Sequence, residues 1–206
     1  MKPYYQDKWV TIYHGDCRDV LPQLDVKVDL VLTDPPYGVG KADWDNTFDI
    51  SPLEMVKAPI IGLMCGIWNI LRCPPHLAGL PYKWIIATHL INGMTRSSIG
   101  FGNWIPCLIY CADGSAYKQD TDMKDIIVGD TPKPEHPSPK PESAMCWFIE
   151  RLSNPYDVIL DPFLGSGTTC YCAKKLNRYS IGIEIEEKYC EIAAKRCSQS
   201  VMALEV

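Results

Sequence analysis

Two short apolar runs, each ending in an aspartate and a sharp turn, constrain the fold of this chain more than any other feature. The first run spans residues 28–33 and ends at Asp34, and the second spans residues 156–160 and ends at Asp161. A short, continuous apolar run bounded by turn signals is typical of a strand buried on both faces, as in parallel sheets. Both runs therefore predict parallel strands whose carboxyl ends carry an acidic side chain.

The segment after Asp161 predicts a regular alternation of strands and helices. A glycine-containing turn leads into a helix expected to reach Arg178, residues 180–185 predict the next strand, and residues 187–199 have the pattern of an amphipathic helix. Such alternation is characteristic of α/β folds with a parallel sheet. We also predict strands at residues 59–65, 83–89 and 103–111, a broken helix at 68–77, and an ordered proline-rich crossing at 131–142, whose composition alone would fit a linker.

Length, composition and charge exclude several classes of protein. The 206 residues favour one domain, residues 1–206, and 47% hydrophobic with 22% charged residues argues against wholesale disorder. No apolar run approaches the roughly 20 residues of a membrane helix, and the amino terminus has no signal-peptide apolar region. The net charge of −5 argues against a strongly basic nucleic-acid-binding surface. We expect a soluble, cytoplasmic protein with no membrane partner, whose contacts with DNA come from local patches.

Ten cysteines raise the question of disulfides or a metal site. A chain of this size does not need covalent cross-links, and thiols stay reduced inside cells. No CxxC pair occurs, and the nearest candidate, Cys73 with His76, has no second pair of ligands. We therefore expect reduced, mostly buried thiols and no metal.

The turn after the second strand has the features of a ligand-binding turn. Gly165 and Gly167 lie between a strand and a helix, where missing side chains and free N–H groups let a ligand approach the backbone. Glu184 ends the next strand, where nucleotide-binding α/β units place a carboxylate that binds ribose hydroxyls. A tight connection with a solvated acid is the alternative. Cys170 stands where a dinucleotide fingerprint requires a third glycine, which favours S-adenosylmethionine over NAD.

The turn after the first strand, Asp34-Pro35-Pro36-Tyr37, is unusually stiff. Pro35 restricts Asp34 to an extended conformation, and neither proline has an N–H. The turn is therefore rich in acceptors and poor in donors, which suits a ligand that donates two hydrogens, such as the exocyclic amino group of a nucleobase. Acceptors held in place for charge that develops in the transition state are a form of electrostatic catalysis. Tyr37 offers a face on which a flipped base can stack. A rigid β-turn with a half-buried tyrosine is the alternative.

Together, these two turns resemble those of an amino-directed DNA methyltransferase of the circularly permuted, beta-type group, in which the DPPY half precedes the cofactor half. The resemblance implies an α/β, Rossmann-like class I methyltransferase fold: a mainly parallel seven-stranded sheet with an antiparallel hairpin and helices on both faces. It divides the single domain into a catalytic half (28–111), a short target-recognition segment (112–135) and a cofactor-binding half (136–206 plus 14–17). Residues 38–46, with Lys41 and Trp44, would form a mobile loop over the target base.

The resemblance also assigns roles to individual residues. Asp16 would bind the amino group of the cofactor's adenine, Ser138 and Lys140 its carboxylate, and Glu184 its ribose hydroxyls. The catalytic residues implied are Asp34, Pro35, Pro36 and Tyr37. The cofactor-binding residues implied are Asp16, Cys17, Asp34, Ser138, Lys140, Asp161, Phe163, Gly165, Ser166, Gly167, Thr168, Thr169 and Glu184.

The expected reaction is methyl transfer from S-adenosylmethionine to the N6 amino group of adenine in DNA. Adenine is preferred because Asp34 opens the motif, where many cytosine-N4 enzymes carry serine. Cytosine N4 and a non-catalytic nucleic-acid-binding subunit remain alternatives, whereas an NAD-dependent oxidoreductase would leave the DPPY turn unexplained. The expected partner is DNA, a homodimer is a further candidate, and the expected setting is a bacterial or phage-infected cell.

Overall fold

The computed structural model describes residues 1–40, 45–91, 95–97, 100–112, 126–129 and 140–199. Its strands are β1 (Tyr5–Gln6), β2 (Val10–His14), β3 (Leu30–Thr33), β4 (Ile60–Met64), β5 (His76–Leu77), β6 (Leu80–Leu90), β7 (Thr95–Ser97), β8 (Gly100–Gly102), β9 (Trp104–Cys111), β10 (Ile126–Gly129), β11 (Val158–Asp161) and β12 (Tyr179–Glu184). Its α-helices are α1 (Cys17–Val20), α2 (Glu142–Leu152), α3 (Thr168–Lys175) and α4 (Glu187–Ser198), and 3₁₀ helices span Leu21–Gln23, Ser51–Met55 and Ile67–Arg72.

The main sheet has the predicted α/β architecture. Its strands lie in the order β1-β2-β12-β11-β3-β4-β9-β6-β10, with β5 on β6, and β7 and β8 form a separate pair. The strands from β2 to β4 in this order run parallel, and β9 is antiparallel to both β4 and β6. The predicted hairpin is therefore present as β6 and β9. The sheet extends beyond the seven predicted strands, because β10 pairs in parallel with β6 and β1 pairs antiparallel with β2.

Both faces of the central strands are buried, which explains their continuous apolar sequences. Successive residues of β3 point to opposite faces, since Leu30 and Leu32 join one core cluster and Val31 another. The first cluster packs against α2 through Phe148 and Ile149. The second packs against α1 and the 3₁₀ helix Ser51–Met55. A third cluster joins β2, α3 and α4.

Some element boundaries differ from the prediction. The helix expected to reach Arg178 ends at Lys175, because the chain turns at Asn177, whose φ is +60°. Residues 68–77, predicted as a broken helix, form the 3₁₀ helix Ile67–Arg72 and β5. Of the proline-rich crossing, residues 131–139 lie outside the described residues, and Glu142 begins α2.

The chain order of the strands creates a switch point at the centre of the sheet. Strands β3 and β11 are parallel neighbours, but the chain leaves β11 towards β12 on one side and leaves β3 towards β4 on the other. Open α/β sheets bind ligands in the crevice that such a reversal opens at the carboxyl ends of the strands. Both sequence-predicted turns follow these carboxyl ends.

All ten cysteines lie in the described part of the chain and carry free thiols. Within that part, no set of three or more His, Cys, Asp or Glu side chains is arranged to hold a metal ion. No described helix is long and apolar enough to cross a membrane.

Candidate active site

A cavity of about 410 Å³ lies at the switch point. Asp34 to Tyr37 line it from the end of β3, Asp161 to Ser166 line it from the end of β11, and Glu184 lines it from the end of β12. Cavities of roughly 300–1,000 Å³ are usual for small ligands and cofactors. The two predicted turns, which are far apart in the sequence, therefore share one cavity.

The Asp34 carboxylate accepts from two donors. The hydroxyl of Tyr37 donates to Asp34 Oδ1 at 2.6 Å, and the ammonium group of Lys140 forms an ion pair with Asp34 Oδ2. Lys140 is only 7% exposed, and its Nζ also lies 5.3 Å from the centre of the Tyr37 ring. Desolvation and the neighbouring Asp34 charge raise the pKa of Tyr37 well above its usual value. Tyr37 therefore stays protonated and acts as a donor at physiological pH.

Two buried polar side chains hold the backbone of this turn. Asp45 Oδ1 accepts the N–H groups of Tyr37 at 2.7 Å and Gly38 at 2.8 Å. Asn69 Nδ2 donates to the Tyr37 carbonyl at 2.8 Å and is itself held by Arg72, which donates to Asn69 Oδ1 at 3.0 Å. Because the two prolines have no N–H and Asp45 accepts the next two, the turn offers acceptors rather than backbone donors.

Asp45 and Asn69 were not predicted from the sequence. They are 2% and 0% exposed, and each reaches the turn from a segment that carries no recognisable motif. A buried polar side chain must find partners, but the sequence does not say which. Gly38, next to them, has φ +72°, and a Cβ there would lie 2.9 Å from the backbone N of Phe48. The tight turn after Tyr37 therefore requires glycine.

The two predicted glycines have different roles. Gly165, with φ +55°, lines the cavity, and its N–H donates to Glu184 Oε2 at 2.7 Å. Gly167, with φ +78°, does not line the cavity; a Cβ there would lie 2.7 Å from Cβ of Ala193 in α4. One glycine therefore exposes backbone to the ligand, and the other permits close packing of α3 and α4.

Asp161 joins the two halves of the site. Its carboxylate accepts from the hydroxyl of Thr33 at the end of β3 (2.7 Å), from the hydroxyl of Thr169 in α3 (2.6 Å) and from the N–H of Phe163 (3.2 Å). The side chain is buried, and burial raises its pKa from 3.8 to about 6 despite these three hydrogen bonds. Asp161 therefore fixes β3, β11 and α3 relative to one another.

The carboxylates at the opposite end of the cavity also have partners. Glu184 accepts from the N–H groups of Gly165 and Glu186, and burial raises its pKa. Asp16 caps α1 and pairs with Arg18, which also binds Asp49. These oxygens still have free lone pairs, because a carboxylate can accept about four hydrogen bonds.

Most of the predicted site residues line the cavity. Ser138 lies outside the described residues, as do Lys41 and Trp44 of the expected mobile loop. Cys17 lines the cavity as a neutral thiol, because burial raises its pKa to about 11. The predicted residues that line it are Asp16, Cys17, Asp34, Pro35, Pro36, Tyr37, Lys140, Asp161, Phe163, Gly165, Ser166, Thr168, Thr169 and Glu184.

The chemistry of the cavity fits S-adenosylmethionine. Carboxylates are the commonest charged groups in its described wall, which suits a sulfonium cation. Glu184 lines the cavity from the end of β12, where nucleotide-binding α/β units place a ribose-binding carboxylate. Lys140 and Arg18 are the cationic side chains in the wall. The exposed backbone at Gly165 allows an adenosine to approach closely.

Comparisons with known proteins agree with this geometry. Residues 86–195 match the N6/N4 family model described as "DNA methylase". The type II methyltransferase M.HinfI of Haemophilus influenzae is 48% identical, over 95% of this chain and 70% of the relative. The type II methyltransferase M2.DpnII of Streptococcus pneumoniae is 25% identical, over 95% of this chain and 92% of the relative.

Solved structures share the fold. The M1.HpyAVI–SAM complex superposes with a TM-score of 0.74 at 28% identity, over 91% of this chain and 99% of that chain. The cytosine-N4-specific PvuII DNA methyltransferase superposes with a TM-score of 0.81 at 17% identity, over 97% of this chain and 90% of that chain. The predicted Rossmann-like methyltransferase fold and its cofactor are thereby confirmed. This chain belongs to the N6/N4 family of DNA methyltransferases, which use S-adenosylmethionine as methyl donor.

Proposed function

We propose that this enzyme methylates the N6 amino group of adenine in DNA. The observation that carries the proposal is the position of Asp34, whose carboxylate and the donor-free Pro35-Pro36 step line the same cavity as Gly165 and Glu184. An aspartate at the first position of this motif favours adenine, since many cytosine-N4 enzymes of the resembled group carry serine there. Cytosine N4 is the alternative target.

Each residue of the turn has a proposed task. Asp34 and the Pro35 carbonyl accept the two N–H bonds of the target amino group, which withdraws its lone pair from the ring and makes the nitrogen more nucleophilic. Tyr37 provides a ring on which the flipped base stacks. When bound, the cofactor supplies a sulfonium methyl group for direct transfer to this nitrogen. Positioning does most of the work, and Asp34 need not be a strong base, because a methylated aryl ammonium is itself acidic.

The cofactor contacts remain proposals. Asp16 would bind the amino group of the adenine, Glu184 the ribose hydroxyls, and the turn from Asp161 through Thr169 the region between them. Lys140 and Ser138 would bind the methionine carboxylate. The support for this set is that all of these residues except Gly167 and Ser138 line one cavity.

Incubation with S-adenosylmethionine labelled in its methyl group and mixed DNA, followed by nucleoside analysis, tests the proposal. Label is expected in N6-methyladenine. Label in N4-methylcytosine would overturn the choice of adenine, and no label in any nucleic acid would favour the non-catalytic subunit.

Asp34→Ala tests the role of the turn. It should abolish transfer without weakening cofactor binding, because the acceptor for the target is removed and the cofactor wall remains. The matched control is Asp19→Ala, which removes an exposed aspartate of α1 outside the cavity wall. Equal loss of transfer and of cofactor binding in Asp34→Ala would contradict the role assigned to Asp34.

We extend the proposal to the organisation and setting of the protein. Residues 28–111 form the catalytic half, and residues 136–206 with 14–17 form the cofactor half. Residues 112–135, of which the structure describes Ala112 and Ile126–Gly129, would recognise the target sequence. We place the protein in the cytoplasm of a bacterial or phage-infected cell, and the names of the relatives, which are type II methyltransferases of bacteria, support a restriction-modification system.

We also propose that the chain forms a homodimer. Its net charge of −5 limits the DNA contact surface of one copy. Strand β10 lies at the edge of the sheet and leaves Ile126 and Val128 62% and 57% exposed. Sedimentation velocity over a range of concentrations tests this: a dimer is expected, and a monomer at every concentration would contradict it.

A further inference from the structure

We infer that Lys140 exchanges partners during the reaction: it holds the acceptor position of Asp34 until the carboxylate of the bound cofactor draws it away. The inference rests on the proposed function and adds an order of events to it. The cofactor would have to bind before Asp34 can hold a target amino group.

The first observation is that the Asp34 carboxylate already binds an N–H donor, the kind of group that it is proposed to bind on the target base. Its Oδ2 pairs with the ammonium group of Lys140, and its Oδ1 accepts from Tyr37. An ammonium and a nucleobase amino group are both N–H donors, and the charged ammonium is the stronger partner for a carboxylate oxygen. Asp34 Oδ2 becomes the preferred acceptor for the target base when Lys140 moves and the Asp34 charge is no longer neutralised.

The second observation is that Lys140 cannot leave Asp34 without another anion. Its side chain is 8% exposed, and a buried cation without a partner is strongly unfavourable. The Tyr37 ring, 5.3 Å from Nζ, offers a weak cation–π contact but no charge. A new carboxylate in the cavity would stabilise the Lys140 ammonium in place of the Asp34 carboxylate.

The third observation is that the other carboxylates in the described cavity wall already serve other groups. Asp45 accepts the backbone N–H groups of the DPPY turn, and Asp161 holds Thr33 and Thr169. Glu184 accepts two backbone N–H groups, Asp16 and Asp49 share Arg18, and Glu186 pairs with Lys188. The methionine carboxylate, which the cofactor brings into this cavity, is the anion that the wall does not supply.

A binding cycle measured by titration calorimetry, without nucleic acid, tests the exchange. The probe is the deaminated analogue of S-adenosylhomocysteine, which keeps the carboxylate and lacks the ammonium. Methylthioadenosine, which lacks both groups, is the control ligand. Asp34→Asn removes the competing charge, so it should tighten binding of the probe by about five- to tenfold, at the lower end of usual coupling between two sites. Binding of methylthioadenosine should not change.

Lys140→Met completes the cycle. It should weaken binding of the probe, and Asp34→Asn should then give no further change, because the effect of Asp34 acts through Lys140. Unchanged or weaker probe binding in Asp34→Asn, or equal effects of Asp34→Asn with and without Lys140, would overturn the inference. If Lys140→Met fails to fold, Lys140→Gln takes its place in the cycle. Methyl transfer is not measured, so failure of the exchange is distinct from failure of the proposed reaction.

Discussion

Asp161→Asn should stabilise the protein above neutral pH and have little effect in acid. The carboxylate of Asp161 is 3% exposed, and burial raises its pKa from 3.8 to about 6. A carboxyl group whose pKa is higher in the folded than in the unfolded state stabilises the folded state only while it is protonated. This stabilisation is lost as pH rises through the folded-state pKa. Above about pH 7 the wild-type protein therefore holds an ionised carboxylate that burial disfavours.

The size of the effect follows from the pKa difference. At about 1.4 kcal/mol per pH unit, a rise from 3.8 to about 6 corresponds to about 3 kcal/mol of unfolding free energy. The amide can keep the hydrogen bonds, because its oxygen can accept from Thr33 and Phe163, and the Thr169 hydroxyl can accept from its nitrogen. Little stability should therefore be lost to unpaired groups.

Urea unfolding of wild type and Asp161→Asn between pH 4 and pH 8 measures the difference. The variant should gain up to about 3 kcal/mol relative to wild type as pH rises across this range. Comparison with wild type at each pH cancels the contribution of groups that do not interact with Asp161. Asp25→Asn, at an exposed site, is the control. A difference that is independent of pH, or a variant that becomes relatively less stable as pH rises, would refute the reasoning.

Two further substitutions test how the site is held. Gly167→Ala should destabilise the protein by more than the roughly 1–2 kcal/mol of left-handed backbone strain, because its Cβ would also lie 2.7 Å from that of Ala193. Gly79→Ala, at a position with φ +78° and nothing within 4 Å of the added Cβ, measures the strain alone. Equal unfolding free energies for the two variants would show that packing on α4 is unimportant. Asn69→Asp removes the donor to the Tyr37 carbonyl. It should lower the free energy of unfolding by the roughly 1–3 kcal/mol typical of a buried group left unpaired, and lower kcat with unchanged affinity for S-adenosylhomocysteine. Asn154→Asp, at an exposed position, is the control, and an unchanged kcat in Asn69→Asp would show that Asn69 does not position the turn.

The features predictable from sequence are those with strong local signals. Strands β3 and β11 are apolar runs bounded by turns, so their burial and parallel pairing could be inferred, and the acids after them marked the edge of the sheet. The helix α2 was missed, although Ala144, Met145, Phe148, Ile149 and Leu152 form a buried face at helical spacing. The preceding run of prolines predicts a crossing segment, and α2 begins after Pro141 without the Ser, Thr, Asp or Asn cap that usually marks a helix start.

The missed parts of the site depend on contacts between separate segments. Asp45 lies eight residues after Tyr37, Asn69 reaches the turn from the 3₁₀ helix Ile67–Arg72, and the pairing of Lys140 with Asp34 joins residues from opposite halves of the chain. No local pattern encodes such partners, because they are set by how the elements pack. Gly167 illustrates the converse: its position in the motif was evident, but its contact with α4 appears only in the fold.

A crystal structure of the enzyme with S-adenosylhomocysteine tests the central claim most directly, namely that the DPPY turn and the cofactor share one cavity. The cofactor sulfur should face Asp34, with room between them for a methyl group and an amino nitrogen about 3–3.5 Å apart. The adenosine should lie against Gly165 and Glu184. A cofactor bound outside this cavity, or with its sulfur directed away from Asp34, would contradict the claim.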